Sequence, residues 1–244
     1  MLIELRIKPN ISAKSIISSQ AGIMSQVPIG DALQRYLKKD VVKGKNTRVL
    51  EIASGCGNHV MYFSKLFPHI KWQPSDLQDK NVDSIRCHLD ACPHENVAEP
   101  LKIDVCAPLD CWGLKHDTYD FMFNSKMVHI LPWKGTESLF TNAGKILKSQ
   151  GRLFMYGIFT VDGKLESKNN QDYDARLRQN YPGCGIRDLQ DLKAEASKSY
   201  IALEEVIDLS TAVAGDRKLL VWRKRSSYAR SSSATGVSEN KSNT

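Results

Sequence analysis

The sequence predicts an α/β fold: a Rossmann-like, mostly parallel seven-stranded sheet, with helices on both faces and an antiparallel hairpin at its end. Three observations predict it. From residue 48 to residue 157, short apolar runs alternate with segments whose apolar residues recur at helical spacing. The first run passes into a turn with two glycines, Ala53-Ser54-Gly55-Cys56-Gly57, and then into a helix. Toward the far end, two apolar runs flank a Gly215-Asp216 turn, which reads as a hairpin.

The elements follow in order. Residues 1–27 show no clear period and read as an irregular segment. Pro28, suited to a first helical turn, opens a helix with Ala32, Leu33, Tyr36 and Leu37 on one face. Strand one is 48–53, and its helix, 58–67, stops at Pro68. Strand two is 71–75, followed by a helix over 79–90 with Val82, Ile85 and Leu89 in line. Residues 101–105 and 119–123 are strands three and four. A helix over 134–148 closes at Ser149-Gln150-Gly151 and leads into strand five, 152–157. Residues 158–183 are polar and long for a connection, which marks a functional insertion. A helix near 187–198 and hairpin strands at 202–207 and 218–222 complete a domain spanning 28–225. Residues 226–244 are Ser-rich without apolar period and read as a disordered tail.

The glycine turn carries the first chemical signal. Gly55 and Gly57 let the backbone approach a ligand with its N–H groups exposed. Asp76 stands nineteen residues after Gly57, at the end of strand two, where a second parallel strand places an acid on a ribose. The pattern implies an adenosine-type cofactor held by Ala53, Ser54, Gly55, Gly57 and Asp76. A dinucleotide fingerprint requires a third glycine three residues after the second, and Val60 stands there instead. Glu51, at the end of strand one, repels a pyrophosphate and suits a cation. S-adenosylmethionine (SAM), with its sulfonium and ammonium, is therefore the favoured cofactor. Asp104, at the end of strand three, is a candidate acceptor for the adenine amino group, with Val105 against the ring. The alternative is an exposed Asp capping the next turn.

Composition narrows the classes. The chain has 244 residues, which fits one domain of this type. No apolar run is long enough to cross a bilayer. Residues 1–20 lack an uninterrupted apolar stretch, so no secretory signal is expected; they are Ser-rich and acid-poor, as mitochondrial presequences are. The expected location is the cytoplasm, with the nucleus second and the mitochondrion behind both. The six cysteines do not form a disulfide framework in a domain this large. The cluster Cys87, His88, Cys92 and His94 lacks a C-x₂-C pair, so no metal is expected. The net charge of +7 belongs to the ends: residues 1–48 hold nine Lys/Arg against three acids, and 223–244 hold five against one. The middle is mildly acidic, which disfavours a nucleic-acid substrate.

Candidate acceptor residues lie at the same sheet edge. His129, in the loop after strand four, is either a general base or a structural histidine. Tyr156, at the end of strand five, either lines the acceptor pocket or belongs to the core. Asn170, Asp172, Tyr173, Asp174, Arg176 and Arg178 concentrate in 158–183 and either bind a polar acceptor or pair with one another.

Several segments together resemble the methyltransferase-like 26 family, a domain-of-unknown-function group within class I SAM-dependent methyltransferases. They are Glu51 to His59, Trp72-Gln73-Pro74-Ser75-Asp76, Leu101-Lys102-Ile103-Asp104-Val105, Met127-Val128-His129, Tyr156-Gly157, Asp162-Gly163-Lys164, Asn170 with Asp172-Tyr173-Asp174, and Gly185-Ile186-Arg187-Asp188. The resemblance covers about residues 28 to 223 and implies a class I fold with SAM as cofactor. It implies no acceptor. Four departures stand out: no Arg-Asn pair precedes Pro28, Lys126 replaces the family's usual Asn, Cys184 replaces its Trp, and 210–215 lacks its Pro-Ala-Asn-Asn loop. Lys126 joins His129 and Tyr156 as a candidate catalytic residue on that ground. The expected function is methyl transfer to an unidentified small molecule or protein, with no membrane partner and the oligomeric state open. The alternatives are a non-catalytic SAM-binding or protein-interaction module and a nicotinamide-dependent oxidoreductase.

Overall fold

A computed structural model describes residues 14–38, 46–211 and 216–226, with side chains from Ser25 onward. A single sheet runs through it in the order β3-β2-β1-β4-β5-β8-β7, and β6 pairs with β5 off this path. The strands are β1 (Arg48–Ile52), β2 (Lys71–Asp76), β3 (Leu101–Lys102), β4 (Tyr119–Ser125), β5 (Leu147–Thr160), β6 (Arg187–Asp188), β7 (Ile201–Asp208) and β8 (Arg217–Lys224). β1 to β5 are parallel, β8 runs antiparallel to β5, and β7 antiparallel to β8. The helices are α1 (Lys14–Leu37), α2 (Asn58–Leu66), α3 (Asp79–Ala91), α4 (Trp133–Ile146), α5 (Lys168–Asn180) and α6 (Leu189–Ser197). The expected mixed sheet and terminal hairpin are present; β6 is an eighth strand that two paired residues make too short to read from a period.

Strand alternation builds a core on each face. Leu50, Met122, Leu153, Met155, Leu220 and Trp222 meet Leu139, Phe140 and Ala143 of α4 and Leu192 and Ala196 of α6. Their sequence neighbours Val49, Phe121, Phe123, Phe154, Leu219 and Val221 meet Ile29, Leu33 and Leu37 of α1 and Val60, Phe63 and Phe67 at α2. On that second face Phe63 stands edge-on to Phe123, ring centroids 5.4 Å apart.

Three expectations change. The first concerns residues 1–27: α1 begins at Lys14 and carries Pro28 inside it. A proline removes one helical hydrogen bond, but burial outweighs it here. Ser25, Ile29, Leu33 and Leu37, four residues apart, are all buried, so the inward stripe continues one turn before the proline. Residues 1–13 and almost all of the proposed 226–244 tail lie outside the described residues. The second concerns strand three, which ends at Lys102 rather than residue 105. Asp104 starts a turn there: its Oδ1 accepts from Cys106 N at 2.9 Å, and its backbone carbonyl accepts from Ala107 N and from Trp112 Nε1. The third concerns strand five, which spans Leu147–Thr160, so the 158–183 insertion is in part sheet and in part α5.

Candidate functional site

The C-terminal ends of β1, β2, β4 and β5 share one edge, where open α/β sheets bind ligands. β8 runs the opposite way, so its first residue, Arg217, reaches the same edge: Arg217 is registered on Ile158, two residues beyond the Tyr156–Leu219 pair.

Between β1 and α2 the chain turns through three left-handed residues, Ala53 (φ 56°), Gly55 (φ 58°) and Gly57 (φ 88°). Gly57 is required twice, since a Cβ there would also meet Ile85 Cγ1 at 3.0 Å. The expected exposed N–H groups are a correction: both are used inside the protein. Gly57 N donates to the Ser54 carbonyl at 3.0 Å, and Gly55 N donates to Asp76 Oδ2 at 2.9 Å. The loop is stitched further where Ser54 Oγ accepts from Ser75 N and Ser75 Oγ donates to the Glu51 carbonyl at 2.7 Å. The two glycine N–H groups are therefore spent inside the protein, whereas α2 begins without a side-chain cap.

Asp76 is buried, and its Oδ1 accepts from Gln78 N (2.9 Å) and Asn81 Nδ2 (3.0 Å). Glu51 is 1% exposed and its Oε2 has no partner among the described residues. Burial pushes its carboxyl up to about 8, the Asp76 charge adds to the rise, and the Ser54 hydroxyl partly offsets it. Asn124 is registered on Ile52, and its Nδ2 and the neighbouring Ser125 Oγ are likewise buried without partners. Val105 is buried; Asp104 is exposed, with Oδ1 engaged in its turn.

Lys126, His129 and Tyr156, expected from the sequence as acceptor-side residues, converge beside this edge. Lys126 has φ 54°, and its N–H donates to the Tyr156 carbonyl at 2.7 Å. Tyr156 is buried, and burial raises its hydroxyl above the ordinary value against the opposing charge of Arg217. His129 is buried with Nδ1 unpartnered, and its ring stands edge-on to Tyr173 with centroids 5.7 Å apart. Burial, with Arg217, Arg187 and Lys126 adding and Asp174 opposing, lowers its imidazole to about 4, so it is neutral at pH 7. From α1, Ser25 Oγ lies 3.4 Å from His59 Nε2, and Gln26 Nε2 donates to the Asn58 carbonyl at 2.6 Å, which places α1 across the start of α2.

Of the insertion residues, Tyr173 alone makes a ring contact with His129. Asp172 pairs with Lys168 (2.9 Å), Asp174 with Arg178 (2.8 Å), and Asn170 Nδ2 donates to Asp216 (2.9 Å). Cys184, buried, donates its thiol to the Ile130 carbonyl at 3.4 Å. Sequence reasoning missed the role of Arg187. Its guanidinium donates to the carbonyls of Val128 (3.2 Å), Leu131 and Gly183 (2.8 Å) and lies over the Trp133 ring. It thereby ties the 126–131 turn to the segment before β6. Arg217, Ser25 and His59 were missed too, because only the fold brings them to this edge. Among the described residues no group of three His, Cys, Asp or Glu is arranged to hold a metal, and no helix is long and apolar enough to cross a membrane.

Comparison with known proteins agrees with this architecture. A family model described as "Protein of unknown function (DUF938)" matches residues 17–224. The mitomycin 7-O-methyltransferase MmcR superposes with a TM-score of 0.66 at 13% identity, over 85% of this chain and 54% of its own. An O-methyltransferase family protein from Burkholderia thailandensis superposes with 0.61 at 16% identity, over 83% of this chain and 60% of its own. This chain thus spans little more than half the length of those two. The geranyl diphosphate C-methyltransferase from Streptomyces coelicolor A3(2), solved with Mg²⁺, geranyl-S-thiolodiphosphate and S-adenosyl-L-homocysteine, gives 0.61 at 12% identity, over 81% and 76%. At these identities the likeness is one of fold, and the fold is the Rossmann-like methyltransferase fold.

Proposed function

We propose that this chain, which belongs to the DUF938 family, is a class I SAM-dependent methyltransferase, of the kind its resemblance to the methyltransferase-like 26 proteins implies. One observation carries the reading: the buried Glu51 carboxyl, its Oε2 unpartnered among the described residues, beside a turn whose two glycine N–H groups are occupied. Such a site favours a cationic nucleoside over a pyrophosphate. Glu51 would face the cationic end, the turn from Ala53 to Gly57 with Asp76 the ribose, and Asp104 with Val105 the adenine. SAM would supply a methyl group on a sulfonium, whose sulfur leaves as the neutral thioether of S-adenosylhomocysteine.

The chain's own residues have three tasks. Ser25 and Gln26 of α1 cover the start of α2 and limit access of water. Arg187 fixes the turn that carries Lys126 and His129, which orients the acceptor. His129, neutral and with Nδ1 unpartnered among the described residues, is the candidate to receive the acceptor's proton, as a weak base, since its imidazole is lowered to about 4. Glu51→Gln tests the cofactor half: S-adenosylhomocysteine, which keeps the ammonium, should bind about tenfold more weakly, a loss of about 1.4 kcal/mol. An unchanged affinity would remove Glu51 from the site.

A module that binds SAM without turnover is the second reading, favoured by the strained left-handed Lys126 in place of the family's Asn. Label transferred from methyl-labelled SAM to any small-molecule or protein pool decides between them.

A further inference from the structure

Lys126 and Arg217 flank the end of β5 from opposite sides. Lys126 N is bonded to the Tyr156 carbonyl, and Arg217 is registered on Ile158. Arg217 shares strand parity with Leu219 and Val221, as Tyr156 does with Phe154, so both belong to the face covered by α1 and α2. Both cations are half-buried, and neither has an ion pair among the described residues. The surrounding acids are committed elsewhere. Asp174 holds Arg178 and the Ile186 N–H, Asp216 holds Ser167 N and Asn170, and Asp208 faces Lys218. Two like charges partly out of water with no counter-ion are costly. Beside them His129 Nδ1 and Ser125 Oγ are buried hydrogen-bonding groups without partners. The rings of Tyr156 and Tyr173 complete the surroundings.

The geometry points to an anion-binding acceptor subsite: Lys126 and Arg217 hold a carboxylate or phosphate of the molecule that receives the methyl group, with an aromatic or similarly flat body against Tyr156 and Tyr173. This rests on the methyltransferase reading for the word acceptor, while the anion site stands on its own residues. The site then has two signs. Glu51 at β1, protonated at pH 7 in the ligand-free chain, would ionise against the cationic cofactor, and the two cations at β4 and β8 meet an anionic acceptor. Burial and Arg217 together hold the Lys126 ammonium below its ordinary value, a penalty that a bound anion relieves.

Three probes of similar size test it: benzoate, phenyl phosphate and uncharged benzamide. Each is titrated by calorimetry into the full chain, with and without saturating S-adenosylhomocysteine. At least one anion should bind about tenfold or more tightly than benzamide. Whichever of benzoate and phenyl phosphate is preferred identifies the group. The preference should fall to near parity in Arg217→Gln and Lys126→Gln and persist in Arg217→Lys. Equal binding of benzamide, survival of the preference in both Gln variants, or no anion binding at millimolar concentration overturns the proposal. If S-adenosylhomocysteine does not bind, the methyltransferase reading fails, and the titrations without it still decide the anion site.

Discussion

The backbone N–H of Gly55 donates to Oδ2 of Asp76 at 2.9 Å, so the glycine turn after β1 and the acid at the end of β2 form one unit. Asp76 therefore has a structural task, and the proposed ribose contact would add a binding one. Asp76→Ala should weaken S-adenosylhomocysteine by about 1.5–3 kcal/mol, ten- to a hundred-fold, if charge-assisted bonds to the ribose are lost. It should also lower the melting temperature, since the N–H groups of Gly55 and Gln78 lose their acceptor. Loss of stability with unchanged affinity leaves Asp76 a scaffold residue only.

Glu51 and the two buried histidines give the protein a stability optimum. The Glu51 carboxyl sits at about 8 when folded, against about 4.3 in an unfolded chain. Between these values the folded state holds a proton that the unfolded state has released. This contribution is fully present below the unfolded value and is lost as pH rises through 8. His59 and His129 are lowered to about 4 by burial, against about 6.5 unfolded. Their contribution is present above 6.5 and lost as pH falls through 4. Ligand-free chain should melt highest at about pH 6.5, where the histidine gain ends and the Glu51 loss continues. Glu51→Gln should flatten the fall above that value and steepen the rise below it. Thermal scans across pH that show no such difference would place Glu51 in contact with water.

Arg187 is a positioning residue. Its guanidinium satisfies three backbone carbonyls around the 126–131 turn. Arg187→Met should cost about 3 kcal/mol or more, since bonds from charged donors are worth about 1.5–3 kcal/mol each. Lysine should not rescue it, because an ammonium lacks the planar fork. Near-native melting of Arg187→Lys would show that charge alone suffices. The pH profile separates positioning from folding: in a mild variant the neutral His129 should titrate nearer the ordinary histidine value.

Lys126 adopts φ 54°, which asparagine tolerates better than lysine. Lys126→Asn should stabilise the ligand-free chain by up to about 1 kcal/mol, raising the melting temperature by roughly 2–4 °C. The same change removes a cation and should weaken phenyl phosphate. A lower melting temperature would mean that the ammonium has a stabilising partner.

The strand, glycine turn and helix with the acid beside them were legible because their signals are local. The apolar run of β1, the two glycines and Asp76 lie within thirty residues, each with its own positional meaning. The N–H groups of the turn were misread because sequence shows that glycine permits approach, not which acceptor arrives first; Asp76 and Ser54 did. The rest of the sheet edge was less legible. Arg187 and Arg217 reach the edge through β6 and the reversed β8, which no local period records. Pro28 read as a helix start because burial of Ser25, one turn earlier, is a tertiary fact. Strand three was read too long because Asp104 has the apolar neighbours of a strand and the side chain of a turn.

The most direct measurement is a calorimetric titration of the purified full chain with S-adenosylmethionine, S-adenosylhomocysteine and NAD. Saturable binding of the first two is expected, weakened by both Asp76→Ala and Glu51→Gln, with no binding of NAD. Binding of NAD, or of none of the three, would contradict the methyltransferase reading.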